Sequence, residues 1–319
     1  MELIFLGTGA GMPSSRRNVS SAALRFNEHG NSFWLFDCGE ATQHQIMGTS
    51  LKLSKLDKVF ITHLHGDHLF GLPGLLTSRA HQGANTPLQV FGPRGLASFI
   101  ESALHISGSH LGYDLQIREL EGEYLPDAGI PLYEDDRFRV YCGKLDHRIE
   151  CFGYRIEEKE KAGKLDDQKL AEVGVPSGPL YGKLKKGETV KLADGTVLDG
   201  KMFIGRQTPG RIVAIMGDTR ANNCTVKLAK DADVLVHEAT FSAELQRLAF
   251  EYHHATTRDA AEAAIQANAQ VLIITHLSAR YQDETVEKLL SETQNLFPST
   301  YLAEDRWAYL IAPRKIEGL

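Results

Sequence analysis

At 319 residues, 42% of them hydrophobic and 24% charged, the chain can bury one large core or two ordinary ones, and its default class is a globular, enzyme-sized protein. A formal charge of -6 excludes a global cationic field for nucleic acid, so such a partner has to be held by a local basic patch or by metal. The opening MELIFLGTGAGMP has only a four-residue apolar run, far short of the ~20 residues that span a bilayer, and no basic segment before it; no membrane role and a cytoplasmic location are expected.

In chain order, LIFLG, SAALRF, SFWLFDCG, KVFIT, LQVFG, LQIREL, FRVYCGKLDH and CFGYRIEE are apolar runs of strand length, most of them bounded by Gly, Asn, Asp or Pro. Between them, GLPGLLTSRAHQ and RGLASFIESALHIS carry helical spacing, as do TRDAAEAAIQANA and DETVEKLLSETQN in the last third. Strands, helices, strands, helices in that order predict a layered α/β or α+β domain. The GTGAG near the start lacks G-x-G-x-x-G spacing and runs into Pro13, not a helix, so it is no dinucleotide fingerprint. Cys38, Cys142, Cys151 and Cys224 have no C-x-x-C spacing and read as reduced, buried packing residues.

The pattern breaks over 157–206, which is rich in Gly, charge and turn signals and poor in apolar residues, and reads as an inserted arm, not core. Its second half sets Lys183, Lys185, Lys186, Lys191, Lys201 and Arg206 against Glu188, Asp194 and Asp199, a local reversal of sign in an acidic protein. Composition alone makes this a solvated hairpin.

The chemistry concentrates in FITHLHGDHLFGLPG. Three histidines and an aspartate, His63, His65, Asp67 and His68, fall within six positions at the end of a predicted buried strand, with Gly66 to let the chain turn. Neutral imidazoles suit zinc and similar divalent metals, and a carboxylate can both ligate and take a proton. One short loop rarely points four groups at one ion, so two ions sharing remote ligands is the expectation. Candidate partners stand where other apolar runs end: His147, Asp218 and His276. The scattered His29, His44, His81, His105 and His110 read as structural or surface residues.

The spacing His63-x-His65-x-Asp67-His68 resembles the H-x-H-x-D-H signature of metallo-β-lactamase-fold hydrolases. With FLGTGAGMPSSRRNVSS, HEATF, HHATTRDAA and THLSARY, the chain resembles the bacterial short form of ribonuclease Z, a tRNA 3′-processing endonuclease, from residue 5 to about 281. The resemblance implies a four-layer αββα sandwich, 1–319, with an inserted flexible arm at 157–206. It implies two zinc ions per subunit, with manganese or iron as alternatives. One would be held by His63, His65, His147 and Asp218, the other by Asp67, His68, Asp218 and His276. It also implies Asp67 as general base, His254 as the group beside the leaving ribose 3′-oxygen, and Glu238 as its orienter. His253 then reads as incidental, and His237 as a packing histidine.

The segment Pro13-Ser14-Ser15-Arg16-Arg17-Asn18 resembles the family's P-x-K-x-R-N loop, with serine where the lysine belongs and Arg16 adjacent. The arm, through Gly178, Pro179, Lys183, Lys185 and Lys186, resembles the one with which these enzymes grip precursor tRNA, in a homodimer whose one subunit holds RNA while the other cuts. The implied activity is removal of the 3′ trailer just 3′ of the discriminator base. A small-ester hydrolase on the same fold (phosphodiesterase, arylsulfatase or lactonase) and a non-catalytic RNA-binding homologue are the alternatives.

Overall fold

Residue alternation explains how the apolar runs become sheets. In the strand Glu2–Gly7, Leu3 and Phe5 join one buried cluster while Ile4 and Leu6 join another. In Ile212–Ile215 and Val234–Glu238 the same split sends Val213, Ile215, Val234 and Val236 to the first cluster, Ala214 and Leu235 to a third. Strands that are apolar on both faces belong to sheets covered on both sides.

The computed structural model describes residues 1–161, 163 and 165–314. The chain divides into two compact units, one formed by Met1–Ile156 with Ile212–Ala312, the other built on Glu157–Arg211. In the first unit, one seven-stranded sheet runs in the order Ala308–Leu310, Glu2–Gly7, Ser21–Phe26, Ser32–Phe36, Leu56–Phe60, Leu88–Gly92, Leu115–Glu119. The other runs Thr300–Leu302, Leu272–Thr275, Val234–Glu238, Ile212–Ile215, Cys151–Glu158, Phe138–Leu145, Tyr133–Glu134. Each contains a run of four parallel strands, from Ser32–Phe36 to Leu115–Glu119 and from Ile212–Ile215 to Thr300–Leu302.

Between the sheets lies an aromatic cluster that includes Phe5, Trp34, Phe60, Phe138, Phe152 and Tyr154. The outer face of the first sheet is covered by Leu72, Leu75 and Leu76 of the helix Leu72–His81 and by Leu96 and Ile100 of Leu96–Ile106. Ala260 and Ala264 of Thr257–Gln266 and Leu289 of Glu284–Gln294 cover that of the second. This is the expected αββα sandwich, and the four helices stand where periodicity placed them. Two bonds tie the sheets together beside the histidine-rich loop: the buried Tyr154 hydroxyl donates to the Ile61 carbonyl (2.6 Å) and the Phe152 N–H to that of Thr62 (2.9 Å).

Two local expectations change. Gly66 makes no unusual turn; it begins the helix Gly66–Leu69 and leaves room for the Phe70 ring above it. Close approach to backbone does require a glycine at Gly39, where a Cβ would sit 2.3 Å from the Asp67 carbonyl oxygen. All four cysteines are free, but Cys224 is only half-buried, its thiol 3.9 Å from Glu123 Oε1. Among the described residues no helix is long and apolar enough to cross a membrane.

The second unit carries more order than its composition suggested. Two helices, Asp167–Glu172 and Pro179–Lys185, and a hairpin of Thr189–Lys191 with Val197–Asp199 bury Leu170, Val175, Leu184, Val190, Leu198 and Phe203 together. Each short element gives one or two apolar residues, so no run is long enough to read as core. The unit closes at Arg211 instead of Arg206, because the buried Arg211 guanidinium grips Glu158 through Nε (2.7 Å) and Nη2 (2.9 Å), with Lys161 Nζ at 3.0 Å.

Burial alone would raise the Glu158 carboxyl, but Arg211 and Lys161 outweigh it and bring it down to about 2. Its unfolded value is ~4.3, so the carboxylate stabilises this unit fully above that pH and loses its contribution as pH falls toward 2. We expect amides of 157–211 to lose hydrogen-exchange protection between about pH 4.5 and 2 in the natural chain. In E158Q protection should already be low at pH 7, consistent with the ~3–5 kcal/mol that breaking a buried pair costs. Equal protection in the two proteins at pH 7 would show that the pair does not hold the second unit together.

Candidate metal centre

Every residue of the centre sits just past the carboxyl end of a strand, in the loop after it or, for Asp67 and His68, in the short helix Gly66–Leu69 that follows. His63, His65, Asp67 and His68 follow Leu56–Phe60 of the first sheet. His147, Asp218 and His276 follow Phe138–Leu145, Ile212–Ile215 and Leu272–Thr275 of the second. The sandwich therefore brings both groups to one end.

The donor atoms fall into two sets. His63 Nε2 lies 3.0 Å from His65 Nδ1, which lies 3.2 Å from His147 Nε2. In the second set His68 Nε2 and His276 Nε2 are 3.3 Å apart, and Asp67 Oδ2 is 3.5 and 3.4 Å from them. Asp218 stands between: Oδ2 is 3.7 Å from His63 Nε2 and 3.3 Å from His276 Nε2, and Oδ1 is 3.5 Å from His68 Nε2. Ligands 2.0–2.1 Å from a tetrahedral ion are separated by about 3.3 Å, so the spacing fits coordination.

The outer nitrogens decide what the inner ones can do. His68 Nδ1 donates to Asp37 Oδ2 (2.7 Å), His147 Nδ1 to the His253 carbonyl (2.9 Å) and His276 Nδ1 to Thr240 Oγ1 (2.9 Å). His63 Nδ1 donates to Thr62 Oγ1 (3.0 Å), whose own proton goes to Asp37 Oδ2 (2.8 Å). Each bond leaves an Nε2 lone pair facing inward. Lone pairs turned on one another repel, and a divalent cation is what turns that repulsion into bonding. Burial first, then neighbouring imidazoles, holds His63 well below the usual imidazole value, and burial lowers His65 and His147; His68 goes the other way, the Asp218 and Asp37 carboxylates outweighing its burial and raising it well above that value, so an ion bound there would displace a proton from it. Burial opposes ionisation of Asp218 and Asp67, but the surrounding histidines outweigh it and keep both carboxylates charged. Neutral imidazoles and ionised carboxylates are the ligating forms.

Asp67 Oδ2 accepts the Gly11 N–H (2.8 Å) and faces the Nε2 atoms of His68 and His276, and among the described residues no hydrogen bond reaches Oδ1. His254 Nδ1 lies 3.0 Å from Glu238 Oε1 and 3.8 Å from Asp218 Oδ2. Burial works against its charge, but the Glu238 carboxylate raises it to about 9. Glu238 is buried and fixed by the N–H groups of Thr219 (2.6 Å) and Ala255 (3.0 Å) and by the Thr240 hydroxyl (2.6 Å). His237 is buried with Nδ1 donating to the Glu238 carbonyl (2.7 Å).

The outlying candidates fare differently. Arg17 lines the same cavity as Arg16 and also braces the loop, its Nη1 donating to Thr8 Oγ1 (2.6 Å) and the Ala303 carbonyl (2.7 Å). Arg16 is exposed beside a ~500 Å³ cavity and pairs with Asp283. In the second unit, Gly178 caps the helix that Pro179 begins; Lys183, Lys185 and Lys186 point outward around the buried Leu184. His44, His81, His105 and His110 are exposed and His29 is half-buried.

Sequence reasoning missed Asp37, Thr62 and Thr240, and it took His253 as incidental although its carbonyl orients His147. Asp37 carried one usable signal, an acid ending an apolar run; its φ of 57° is the conformation Asp and Asn tolerate best.

Residues 1–112 match the family model described as anti-Pycsar protein Apyc1. Over 305 residues the chain is 53% identical to the ribonuclease Z proteins of Bacillus cereus and Bacillus anthracis, covering 96% of this chain and 97% of theirs. Among solved structures it resembles human short-form tRNase Z with a TM-score of 0.70 at 31% identity, over 98% of this chain and all of that one. The metallo-β-lactamase-fold protein YhfI of Bacillus subtilis aligns at TM-score 0.65 and 18% identity, over 97% and 98% of the two chains, a likeness of fold.

Replacing Asp37 by Asn keeps a residue that accepts positive φ but removes the acceptor that holds the His68 tautomer. We expect D37N to bind zinc 10- to 100-fold more weakly in chelator competition. Unchanged affinity would mean that Asp37 has no part in shaping the centre.

Proposed function

The chain belongs to the ribonuclease Z family, and we propose that it removes the 3′ trailer from precursor tRNA as a divalent-metal endoribonuclease, cutting 3′ of the discriminator base. The products are a tRNA ending in a 3′-hydroxyl and a trailer beginning with a 5′-phosphate. The observation that carries this reading is the double donor set, complete in every position, with His254 and Glu238 beside it. We take the two ions to be zinc, with manganese or iron also suited to imidazole and carboxylate. His63, His65, His147 and Asp218 would hold one and Asp67, His68, His276 and Asp218 the other. Bound there, such a pair supplies Lewis acidity that eases deprotonation of water and offsets charge on the phosphate.

The chain's own groups do the rest. Asp67 is held through Oδ2, which leaves Oδ1 to take the proton of the attacking water. Glu238 binds Nδ1–H of His254, so the imidazolium presents its second proton at Nε2, where it can pass to the departing ribose 3′-oxygen. Glu238 thereby fixes both the ring and its charge.

The second unit, as an arm bearing Gly178, Pro179 and exposed Lys183, Lys185 and Lys186, suits sequence-independent phosphate contact with the tRNA body. Arg16 supplies positive charge near the site where Ser15 replaces the family lysine. We place the enzyme in the cytoplasm as a homodimer in which one subunit's arm serves its partner's site.

Mapping the products of a precursor tRNA at single-nucleotide resolution tests the assignment; a small-ester hydrolase would leave the structured RNA whole. D67A should lower cleavage about 10²- to 10⁴-fold with tRNA affinity nearly intact. Deleting residues 160–200 should do the reverse, weakening binding while zinc is still held. Equal loss of binding and cleavage in either variant would contradict this division of labour.

A further inference from the structure

Just before His254, the short helix Gln246–Tyr252 exposes two aromatic rings, Phe250 at 62% and Tyr252 at 49% of their surface. Each is backed by a guanidinium that arrives from the centre itself. Arg220, two residues after Asp218, places its guanidinium carbon 4.3 Å from the Phe250 ring centre. Arg148, next to His147, sits 4.9 Å from that of Tyr252. Neither cation is loose: Arg220 Nε and Nη2 pair with the Asp146 carboxylate at 3.1 and 2.9 Å, and Arg148 Nη2 donates to the Glu251 carbonyl (3.2 Å). The helix is anchored in turn, since the His253 carbonyl accepts from His147 and the His254 N–H donates to the Ala249 carbonyl (2.9 Å).

We infer that Phe250, with Tyr252 beside it, forms a stacking platform for the unpaired base of the nucleotide on the 5′ side of the cut. The inference rests on the tRNA reading above. His254 is the group beside the leaving 3′-oxygen, and the nucleotide that carries that oxygen is the one 5′ of the scissile bond. Its base therefore belongs on the His254 side of the centre, and the rings that precede His254 are the exposed apolar surface there. A ring with a fixed cation against one face is already oriented, so a base can stack on it with little further ordering, and a stack accepts any base because each has a π face. Arg148, held by a carbonyl and not by a carboxylate, adds charge complementary to the neighbouring phosphates, whereas the Arg220 charge is balanced by Asp146. These are positioning residues: they touch the base and leave the reacting atoms to Asp67 and His254.

The test uses the zinc-loaded full chain with precursor tRNAs carrying at that nucleotide a natural base, 2-aminopurine or an abasic sugar. We expect F250A to lose about tenfold in kcat/KM on the natural precursor, mostly through KM, and F250W to restore it. On the abasic precursor the gap between F250A and the natural protein should close. Binding should quench 2-aminopurine in the natural protein and in F250W, and not in F250A. An equal loss on natural and abasic precursors, or quenching that survives in F250A, would overturn the platform. So would a change of oligomeric state in F250A, which would assign the rings to a second copy of the chain. If the natural protein cuts no precursor tRNA, the nuclease reading fails with it; if it cuts and F250A cuts equally well, the platform alone fails.

Discussion

Five imidazoles and two carboxylates converge at one end of the sandwich with neighbouring donor atoms 3.0 to 3.7 Å apart, and the surrounding structure is arranged to keep them there. Left to themselves these lone pairs would push one another away. Asp37, Thr62, Thr240 and the His253 carbonyl oppose that by engaging the outer nitrogens, so that turning a ring costs a buried hydrogen bond. The two bonds between the sheets, from Tyr154 and Phe152, fix the carbonyls of Ile61 and Thr62, immediately before the first ligand. Rigidity in the core thereby becomes precision at the centre.

Much of this was legible in the sequence where one residue type had a single plausible use. Four ligand-capable residues within six positions have little structural purpose otherwise, and apolar runs in the order strands, helices, strands, helices point to a layered fold. His147, Asp218 and His276 were less legible: each follows an apolar run, but that alone does not say that three distant strands end at the same place. It took the family resemblance to raise them. Asp37 and Thr62 were illegible as ligand supports because both look like strand-end residues, and their role exists only once Ser32–Phe36 and Leu56–Phe60 lie side by side. Leu170 and Leu184 were illegible as a core for the opposite reason, being spread singly among charged residues.

The centre also divides its labour by backbone as well as by side chain. Asp37, His253 and His276 all have φ near +58°, a conformation that costs an ordinary residue of order 1 kcal/mol or more. In each case an awkward backbone directs a group inward: a carboxylate toward His68, a carbonyl toward His147, and an imidazole toward Asp218. Such positions exclude β-branched replacements on steric grounds alone.

The ligands come from both sheets, and His68 and His276 are 208 positions apart in the chain. An ion held by both would therefore act as a cross-link, closing a loop of nearly two thirds of the protein through a donor set that only the folded chain assembles. The entropy of such a closure grows only with the logarithm of loop length, so distance along the chain is a small obstacle to it. Since the native arrangement alone offers the full donor set, every increment of metal affinity is also an increment of folding free energy. The availability of the ion in the cell would then govern how much of this protein persists, besides how fast each molecule works.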